Sequence, residues 1–167
     1  IETSMYIYQP AVLIISAGMK RRELPIPEEK KLLGKGIHYC ELCDGYLYDN
    51  KVVAVIGGGN SGVEAAIDLA GIVGHVTLIE FGAELKADAV LQNKLQSLKN
   101  ATIIKNAQTK EITGDEKVNG ITYIERDSGI EKHISLEGVF IQIGLVPNTG
   151  WLGDFVEKNK FGEIIIS

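Results

Sequence analysis

Two cysteines, Cys40 and Cys43, stand three positions apart, and Asp44 directly follows them. This CxxC spacing brings two sulfur atoms within bonding reach inside one turn of chain, so disulfide and dithiol can interconvert without a change of fold. A carboxyl group beside a dithiol can carry a proton to and from a thiolate, which is general acid–base chemistry. Turn formation by Asp44-Gly45 is an equally common use of that aspartate, and it predicts a tight turn just after the pair.

Two other interpretations of the cysteine pair stay open at this level. The pair could be half of a zinc site, but zinc needs four ligands; His38 is near in sequence, whereas His75 and His133 are remote. The pair could also be two inert structural thiols. We favour a redox disulfide and expect no metal.

A glycine-rich loop begins fourteen residues after Cys43 and follows the pattern GxGxxG. It comes after VVAVI at 52–56, a run typical of a buried strand, and before a predicted helix that Asn60-Ser61 can cap. In that setting the first glycine permits a tight turn, the second lets backbone approach a pyrophosphate, and the third lets helix and strand pack closely. The helix N-terminus adds N–H groups and a positive dipole end. The residues expected around the pyrophosphate are Gly57, Gly58, Gly59, Asn60, Ser61 and Gly62.

Glu80 ends the next predicted strand, HVTLI at 75–79, and lies 23 residues after the first glycine. An acidic side chain there accepts hydrogen bonds from the ribose hydroxyls of NAD and repels the 2′-phosphate of NADP. An NADP site would favour an arginine, and no arginine lies between Arg22 and Arg126. We therefore expect NAD(H), with NADP(H) as the second choice. The position of the loop after the dithiol argues against FAD in it.

The predicted elements alternate strand and helix, and an antiparallel excursion interrupts them. Strands are predicted at 11–16, 52–56, 75–79, 102–105 and 139–143, with helices after the glycine loop and from Asp88. Residues 108–136 alternate polar and apolar, which indicates a meander. The order predicts an α/β fold, a Rossmann-like three-layer (ββα) nucleotide-binding domain with a parallel sheet and an antiparallel β-meander.

Composition restricts the class of partner and location. The chain has 167 residues and a net charge of −5, which argues against nucleic acid because phosphate neutralisation needs clustered Lys and Arg. No apolar stretch is long enough for a bilayer, no signal peptide is evident, and two cysteines do not make a disulfide framework. We expect a cytoplasmic protein. The apolar last residues lead us to expect a piece of a longer polypeptide.

HYCELCDG at 38–45, together with VVAVIGGGNSGVEAAIDLAG at 52–71, resembles the low-molecular-weight thioredoxin reductase family. Within it, the similarity is greatest to the branch that contains the flavoprotein of bacterial alkyl hydroperoxide reductase. HVTLIEF at 75–81 and FIQIGLVPNTGWL at 140–152 extend the match over nearly all the chain after about residue 30. The resemblance implies an NADH-dependent, FAD-containing disulfide reductase that passes electrons from NADH through FAD and the cysteine pair to a peroxiredoxin. The alternatives are a thioredoxin reductase that uses NADPH, and a non-enzymatic nucleotide-binding module with a dithiol switch.

The resemblance also implies roles for single residues. Cys43 would be the sulfur nearer the flavin, Cys40 the thiol that exchanges with the next disulfide, and Asp44 the proton donor. Glu64 would lie near the nicotinamide end of the nucleotide. Gly144 would pass close to the nucleotide.

The resemblance further implies a division into domains. Residues 1–18 would be a remnant of an FAD domain, residues 19–148 the nucleotide-binding domain that carries the CxxC, and residues 149–167 the start of the return to the FAD domain. The full-length protein would be a homodimer whose two domains rotate between half-reactions. Its partners would be a peroxiredoxin or thioredoxin-like acceptor and the FAD domain of the same chain, with neither nucleic acid nor membrane. The fragment alone would hold no FAD and would be inactive.

Overall fold

The computed structural model describes residues 2–166. Both helices and strands are present, as an α/β fold requires. Within the described residues the strands are, in chain order, β1 (Met19–Arg21), β2 (Ile37–His38), β3 (Val52–Ile56), β4 (His75–Ile79), β5 (Ala101–Ile104), β6 (Ala107–Thr113), β7 (Gly120–Glu125), β8 (Glu131–Ser135), β9 (Gly138–Ile141) and β10 (Leu145–Pro147). The α-helices are α1 (Glu28–Leu32), α2 (Glu41–Asp44), α3 (Asn60–Ala70) and α4 (Ala89–Gln96).

Five strands form a parallel sheet in the order β2-β9-β3-β4-β5. Every pairing in it is parallel, from Ile37 beside Val139 at one edge to Ile79 beside Ile104 at the other. The strands predicted by the buried runs from residue 52 onward are confirmed, with ends within one or two residues of the predicted bounds. Because these strands run in one direction, their carboxyl ends, and the loops that follow them, meet at one edge of the sheet.

Each face of the parallel sheet buries its own hydrophobic core. Val53 and Val55 of β3 belong to the core on the helix side, whereas Ala54 and Ile56 belong to the core on the opposite side. Successive side chains of a strand point to opposite faces, so a strand covered on both sides is apolar throughout. This double burial explains why β3 reads as VVAVI and does not alternate with polar residues.

Helices α3 and α4 cover the first face of the sheet. Val63, Ala66 and Leu69 of α3 are buried at a spacing that places them on one side of the helix. The predicted opening of the second helix at Asp88 is confirmed, because Asp88 is the N-cap of α4. No helix within residues 2–166 combines the length and the apolar character needed to cross a lipid bilayer.

The antiparallel meander β6-β7-β8 covers the second face, as the alternating pattern predicts. Ile112 and Ile121 are opposite each other in its register and are fully buried in the core below the parallel sheet. Helices, parallel sheet and meander therefore make the predicted three layers. The expected fold class is confirmed.

Contacts divide the chain into two compact units. One unit is Arg21–Gly144, which contains the parallel sheet and the meander. The other contains the described residues up to Lys20 together with those from Leu145 onward. β1 and β10 pair in a separate two-stranded sheet. The domain boundaries at 18/19 and 148/149 stay predictions.

The first predicted strand is wrong. Residues 11–16 form neither strand nor helix, and Val12 and Ile14 are 79% and 88% exposed. A buried strand needs neighbours that pair its N–H and C=O groups and cover its side chains. The described part of the chain pairs no strand with this segment, and regular structure begins further on, at β1.

Candidate redox and nucleotide site

Cys40 and Cys43 form a disulfide, with their Cα atoms 5.3 Å apart. The bond lies at the start of α2: Cys40 is the N-cap residue, and its Sγ accepts a hydrogen bond from the backbone N–H of Cys43 at 3.2 Å. Cys43 is exposed and Cys40 half-buried. The CxxC spacing was predicted to bring both sulfurs within bonding reach, and one short turn does hold them at that distance.

The tight turn expected at Asp44-Gly45 is wrong in form. Gly45 has φ −56° and begins a 3₁₀-helix, Gly45–Tyr48, that continues from α2. A β-carbon on Gly45 would lie 3.0 Å from the Leu69 side chain of α3. The glycine is therefore needed for close packing of the dithiol segment against α3, and no left-handed backbone is involved.

The Asp44 carboxylate makes a hydrogen bond with a buried histidine. His38 Nδ1 lies 2.8 Å from Asp44 Oδ2, and His38 Nε2 lies 2.7 Å from the hydroxyl of Tyr48. Burial, and secondarily the negative charge of Asp44, raises the pKa of Tyr48 to about 12. The sequence suggested His38 only as a candidate zinc ligand, and this contact was missed. Among the described residues, no group of three or more His, Cys, Asp or Glu side chains has metal-binding geometry.

Tyr39, the residue before Cys40, is anchored to a buried carboxylate. Its hydroxyl donates to Glu29 Oε1 at 2.5 Å, and Glu29 Oε2 accepts the backbone N–H of Leu24 at 2.5 Å. Burial and this hydrogen bond raise the pKa of Tyr39 to about 12. The guanidinium of Arg21 lies 4.7 Å from the Tyr39 ring centroid. The connector before α1 is thus fastened to the cysteine segment.

The three glycines of the loop are needed for three different reasons. Gly57 has φ +119°, and a β-carbon on it would lie 2.3 Å from the carbonyl oxygen of Gln142. A β-carbon on Gly62 would lie 1.9 Å from the carbonyl oxygen of Gly57. At Gly59, no described atom comes within 4 Å of that position, so the backbone is open to a ligand. The tight turn at Gly57 and the helix–strand contact at Gly62 agree with the predicted uses of these glycines, whereas approach of a pyrophosphate to Gly59 stays a prediction.

The predicted helix cap is wrong. Gly59 occupies the N-cap position of α3, and Asn60 is already the first helical residue. The extended backbone of Gly59 starts the helix one residue early, and this leaves the Asn60 side chain free to make another contact. Its Oδ1 accepts the backbone N–H of Asp88 at 2.9 Å, and its Nδ2 donates to the Asp88 carboxylate at 3.1 Å. Asn60 therefore ties together the first turns of α3 and α4. Ser61 is exposed in the first turn of α3.

Glu80 lies directly beside the glycine loop, as its position at the end of β4 requires. Its Oε2 accepts the backbone N–H of Gly58 at 2.6 Å, and its Oε1 accepts that of Gly82 at 2.7 Å. A cavity of about 290 Å³ adjoins this carboxylate, and apolar side chains from β3, β4 and β6 form much of its lining. Ribose binding by Glu80 stays a prediction, but the geometry presents a fixed, half-buried carboxylate at the expected edge.

Arg126 is a cation that the local sequence argument missed. It is 46 positions after Glu80 in the chain, yet its guanidinium carbon lies 4.0 Å from the Phe81 ring centroid. Its Nη1 donates to the carbonyl oxygen of Phe81 and to Asn106 Oδ1, each at 3.0 Å. The meander therefore brings an arginine to the segment that follows Glu80, where the sequence shows none nearby.

Glu64 and Gly144 stand at separate places. Glu64 is exposed on α3, one turn beyond the glycine loop. Gly144 is exposed after β9, with φ +92°, and its carbonyl oxygen accepts the backbone N–H of Arg22 at 3.1 Å. Their predicted contacts with nucleotide stay predictions.

Gln142 joins the two motifs, and nothing in the sequence singled it out. Its backbone N–H donates to Ile56, which precedes the glycine loop, at 2.8 Å. Its side-chain Nε2 donates to the carbonyl oxygen of Tyr39 and to Glu41 Oε2, each at 3.0 Å. The two acceptors flank Cys40. One glutamine thus connects the disulfide segment to the turn that begins the glycine loop.

The sequence pattern of the pyridine nucleotide-disulphide oxidoreductases matches residues 4–166. The chain belongs to this family. The recognition made from the CxxC and glycine-loop segments is therefore confirmed at the family level. The family name covers both halves of the site described above, because it joins a pyridine nucleotide to a disulfide.

Individual relatives narrow the comparison within the oxidoreductase family. The chain is 60% identical over 160 residues to a protein named NADH dehydrogenase from Bacillus subtilis (strain 168), covering 96% of this chain and 31% of that protein. It is 56% identical over 160 residues to a protein of Staphylococcus aureus (strain NCTC 8325 / PS 47) that is named as a component of alkyl hydroperoxide reductase, covering 96% and 32%. The chain thus spans about a third of the length of these curated relatives.

Solved structures agree with the fold. Thioredoxin reductase from T. acidophilum superimposes with a TM-score of 0.83 and 40% identity, covering 90% of this chain and 50% of that chain. Thioredoxin reductase from Lactococcus lactis, in the FR conformation, gives a TM-score of 0.82 and 30% identity, with the same coverage.

Proposed function

We propose that this chain is the pyridine-nucleotide and dithiol domain of an NADH-dependent, FAD-containing disulfide reductase that passes electrons through Cys40 and Cys43 to a peroxiredoxin. The observation that carries the proposal is the presence of a bonded cysteine pair and a nucleotide loop in one compact unit, Arg21–Gly144, joined through Gln142. The relatives named for alkyl hydroperoxide reductase and NADH dehydrogenase support the acceptor and the reductant. The FAD domain, the homodimer and the cytoplasmic location belong to the proposal for the whole polypeptide.

The residues of the glycine loop fit a dinucleotide. Gly59 leaves its backbone open, and the first turn of α3 offers N–H groups that lack intrahelical acceptors by helix geometry. Glu80 is fixed by two backbone N–H donors and keeps further lone pairs for ribose hydroxyls. When bound, NADH would supply a hydride, and an FAD held by the other domain would supply the two-electron carrier between nucleotide and disulfide.

The cysteines take different parts in this proposal. Cys43 is the exposed sulfur and is assigned to face the flavin. Cys40 is assigned to exchange with the acceptor, because the N–H of Cys43 donates to its sulfur and favours the thiolate, which is the attacking form. Asp44 is assigned to hold and transfer the proton of the leaving thiolate. Glu64 is assigned to the nicotinamide end of the nucleotide, and Gly144 to a position close to the nucleotide.

A thioredoxin reductase that uses NADPH is the second candidate. It is supported by the solved structures that carry that name and by Arg126, which lies against the segment after Glu80. Against it stands the Glu80 carboxylate at the ribose edge, which repels a 2′-phosphate.

The decisive experiment uses a polypeptide that joins this chain to its FAD domain. Under anaerobic conditions, one equivalent of NADH is added, and thiols are counted with a chromogenic thiol reagent. We expect two new thiols per chain, and none in Cys43→Ser, which cannot form the disulfide. The same count with NADPH serves as the matched arm.

Two outcomes separate the candidates. A disulfide that stays intact while NADH is consumed contradicts the proposal. A higher thiol yield with NADPH than with NADH favours the thioredoxin reductase candidate.

A further inference from the structure

His38 and Tyr48 are the two buried members of a hydrogen-bonded chain that starts at Asp44, beside the disulfide. His38 is 7% exposed, Tyr48 is 6% exposed, and the carboxylate of Asp44 is the more accessible end. The two bonds of the chain, 2.8 Å and 2.7 Å, are both in the range of good hydrogen bonds. Buried histidines with both ring nitrogens engaged have a defined orientation, so the path from carboxylate to hydroxyl is continuous.

The bonding partners fix the proton positions along this chain. An ionised carboxylate accepts only, so His38 Nδ1 carries the hydrogen toward Asp44. With that hydrogen on Nδ1, Nε2 is left to accept from the Tyr48 hydroxyl. Phe140 keeps the imidazole in this position, because the two rings stack with centroids 5.4 Å apart and an interplanar angle of 28°. This arrangement is ready to accept a proton at Nε2 and to release one from Nδ1.

A cavity lies beside the two buried members of the chain. His38 and Tyr48 line a space of about 360 Å³, which has both charged and apolar side chains in its lining and is large enough for several water molecules. Neither cysteine belongs to its lining. His38 bonds Asp44 and Tyr48, and the charged groups that share the lining of this cavity with it are Lys35, Lys51, Lys117 and Glu137.

We propose that His38 is a positioning residue that orients Asp44 and resupplies it with protons from this cavity through the hydroxyl of Tyr48. The proposal rests on the proton-transfer role assigned to Asp44 above. Its advantage is one of access: an electron donor or acceptor that reacts with the sulfur pair covers the surface at Cys40 or Cys43, whereas neither cysteine lines the cavity. Protons can therefore reach Asp44 while the sulfur pair is covered.

The proton balance of the step is complete. A dithiol reductant gives two electrons to the Cys40–Cys43 bond and becomes a disulfide, and the S–S bond breaks. One cysteine leaves as a thiolate, and Asp44 takes the Nδ1 proton of His38 and passes it to that sulfur. His38 takes a proton at Nε2 from the Tyr48 hydroxyl, and water in the cavity returns one to the hydroxyl. The second cysteine leaves when the reductant closes its own disulfide, and it takes a proton from solvent. The oxidised dithiol releases two protons, which balance the two that the cysteines take up.

The test measures the rate at which dithiothreitol reduces the disulfide in this chain, between pH 6 and 8. In His38→Gln, an amide replaces the imidazole and cannot carry a proton. We expect the rate to fall about tenfold at pH 6 and the pH profile to flatten, as loss of part of a general acid–base contribution requires. Tyr48→Phe, which removes only the hydroxyl, should reproduce the change, and imidazole added to His38→Ala should restore the rate.

Controls separate this proposal from the role of Asp44. His75→Gln is the matched control, because His75 bonds Thr102 away from the disulfide, and its profile should equal that of the parent. Circular dichroism verifies folding of each variant. A slow Asp44→Asn beside an unchanged His38→Gln overturns the relay and leaves the role of Asp44 intact. An unchanged Asp44→Asn overturns the role of Asp44 itself. Failure of imidazole to restore His38→Ala also overturns proton transfer by His38.

Discussion

The carbonyl oxygen of Gly57 lies 1.9 Å from the position that a β-carbon on Gly62 would occupy. The end of β3 and the first turn of α3 therefore meet with no side chain between them. This approach brings the N-terminal N–H groups of the helix to the loop that precedes them. The contact is between backbone atoms, which have little freedom to move aside.

Gly62→Ala should therefore disrupt the domain. The added methyl group collides with a backbone carbonyl, so we expect a loss of about 3 kcal/mol or more in the free energy of unfolding. Urea denaturation followed by circular dichroism measures this change. An alanine that leaves the unfolding midpoint unchanged would show that the strand and helix can separate at no cost.

Gly59→Ala is the matched substitution in the same loop. Gly59 has φ −82° and no described atom within 4 Å of the added methyl, so stability should change by less than about 1 kcal/mol. Binding of NADH, measured by calorimetry, should weaken at least tenfold if backbone at this position approaches the pyrophosphate. Unchanged affinity would remove Gly59 from the proposed site.

Glu80 should decide the choice of nucleotide. Glu80→Ala removes the acceptor of the Gly58 and Gly82 N–H groups, so we expect a loss of about 1–3 kcal/mol in stability. NADH affinity should fall about tenfold, whereas NADPH affinity should rise, because the repulsion of the 2′-phosphate disappears and Arg126 lies close by.

The control for this prediction is Glu84→Ala. Glu84 is an exposed carboxylate that pairs with Lys105, and its removal should leave both affinities and the stability nearly unchanged. Calorimetric titrations of both variants with both nucleotides make the comparison. Parallel losses for NADH and NADPH in Glu80→Ala would show that Glu80 supports the loop without selecting the nucleotide.

The raised pKa of Tyr48, about 12, makes stability depend on alkaline pH. The unfolded chain ionises this tyrosine near pH 10, whereas the folded chain keeps it protonated up to about pH 12. Its contribution is therefore fully present below pH 10 and is lost as the pH rises from 10 to 12, at about 1.4 kcal/mol per pH unit. Tyr48→Phe should show a shallower fall over that window than the parent chain.

Denaturation at a series of pH values, with tyrosinate absorbance as a second readout, tests this slope. Tyr46→Phe is the control, because Tyr46 is 68% exposed and lies in the same 3₁₀-helix. Equal slopes for the two variants would contradict burial as the cause.

Reduction of the disulfide should leave the fold in place. The bond closes a loop of very few residues, so loop entropy assigns it only about 2 kcal/mol. We expect dithiothreitol to lower the melting temperature by about 4–8 °C with no change in secondary structure. Global unfolding on reduction would show that the pair is a structural bridge, which the redox proposal does not allow.

Much of the fold follows from local patterns. β3 and β4 are buried on both faces, as central parallel strands are. The runs VVAVI and HVTLI can therefore be recognised as strands from the sequence. The meander can also be predicted from the sequence, because one of its faces is solvated and polar residues therefore alternate with apolar ones. Residues 11–16 have a similar apolar pattern and were predicted as a buried strand. Such a pattern indicates that a segment is suited to burial, but it does not show which strands would pair with it and cover it.

The connections between motifs could not be predicted from the sequence. Gln142 reaches Tyr39, and Arg126 reaches Phe81, across more than 40 positions of chain, and neither has a residue type or spacing that signals its contact. The sequence drew attention to His38 as a possible zinc ligand near the cysteines, whereas in the structure it bonds Asp44 and Tyr48. Long-range side-chain contacts arise from the order of strands in the sheet, which periodicity alone does not fix.

The glutamine at position 142 has a mechanical consequence. Its amide bonds the residues on both sides of Cys40, and its backbone contacts Gly57 and Ile56, so the cysteine segment and the glycine loop are both attached to this one residue. A displacement of either segment by more than the length of a hydrogen bond must break the bonds to Gln142 or move the other segment with it. The sulfur pair therefore moves together with the parallel sheet, and it does not move as an independent loop.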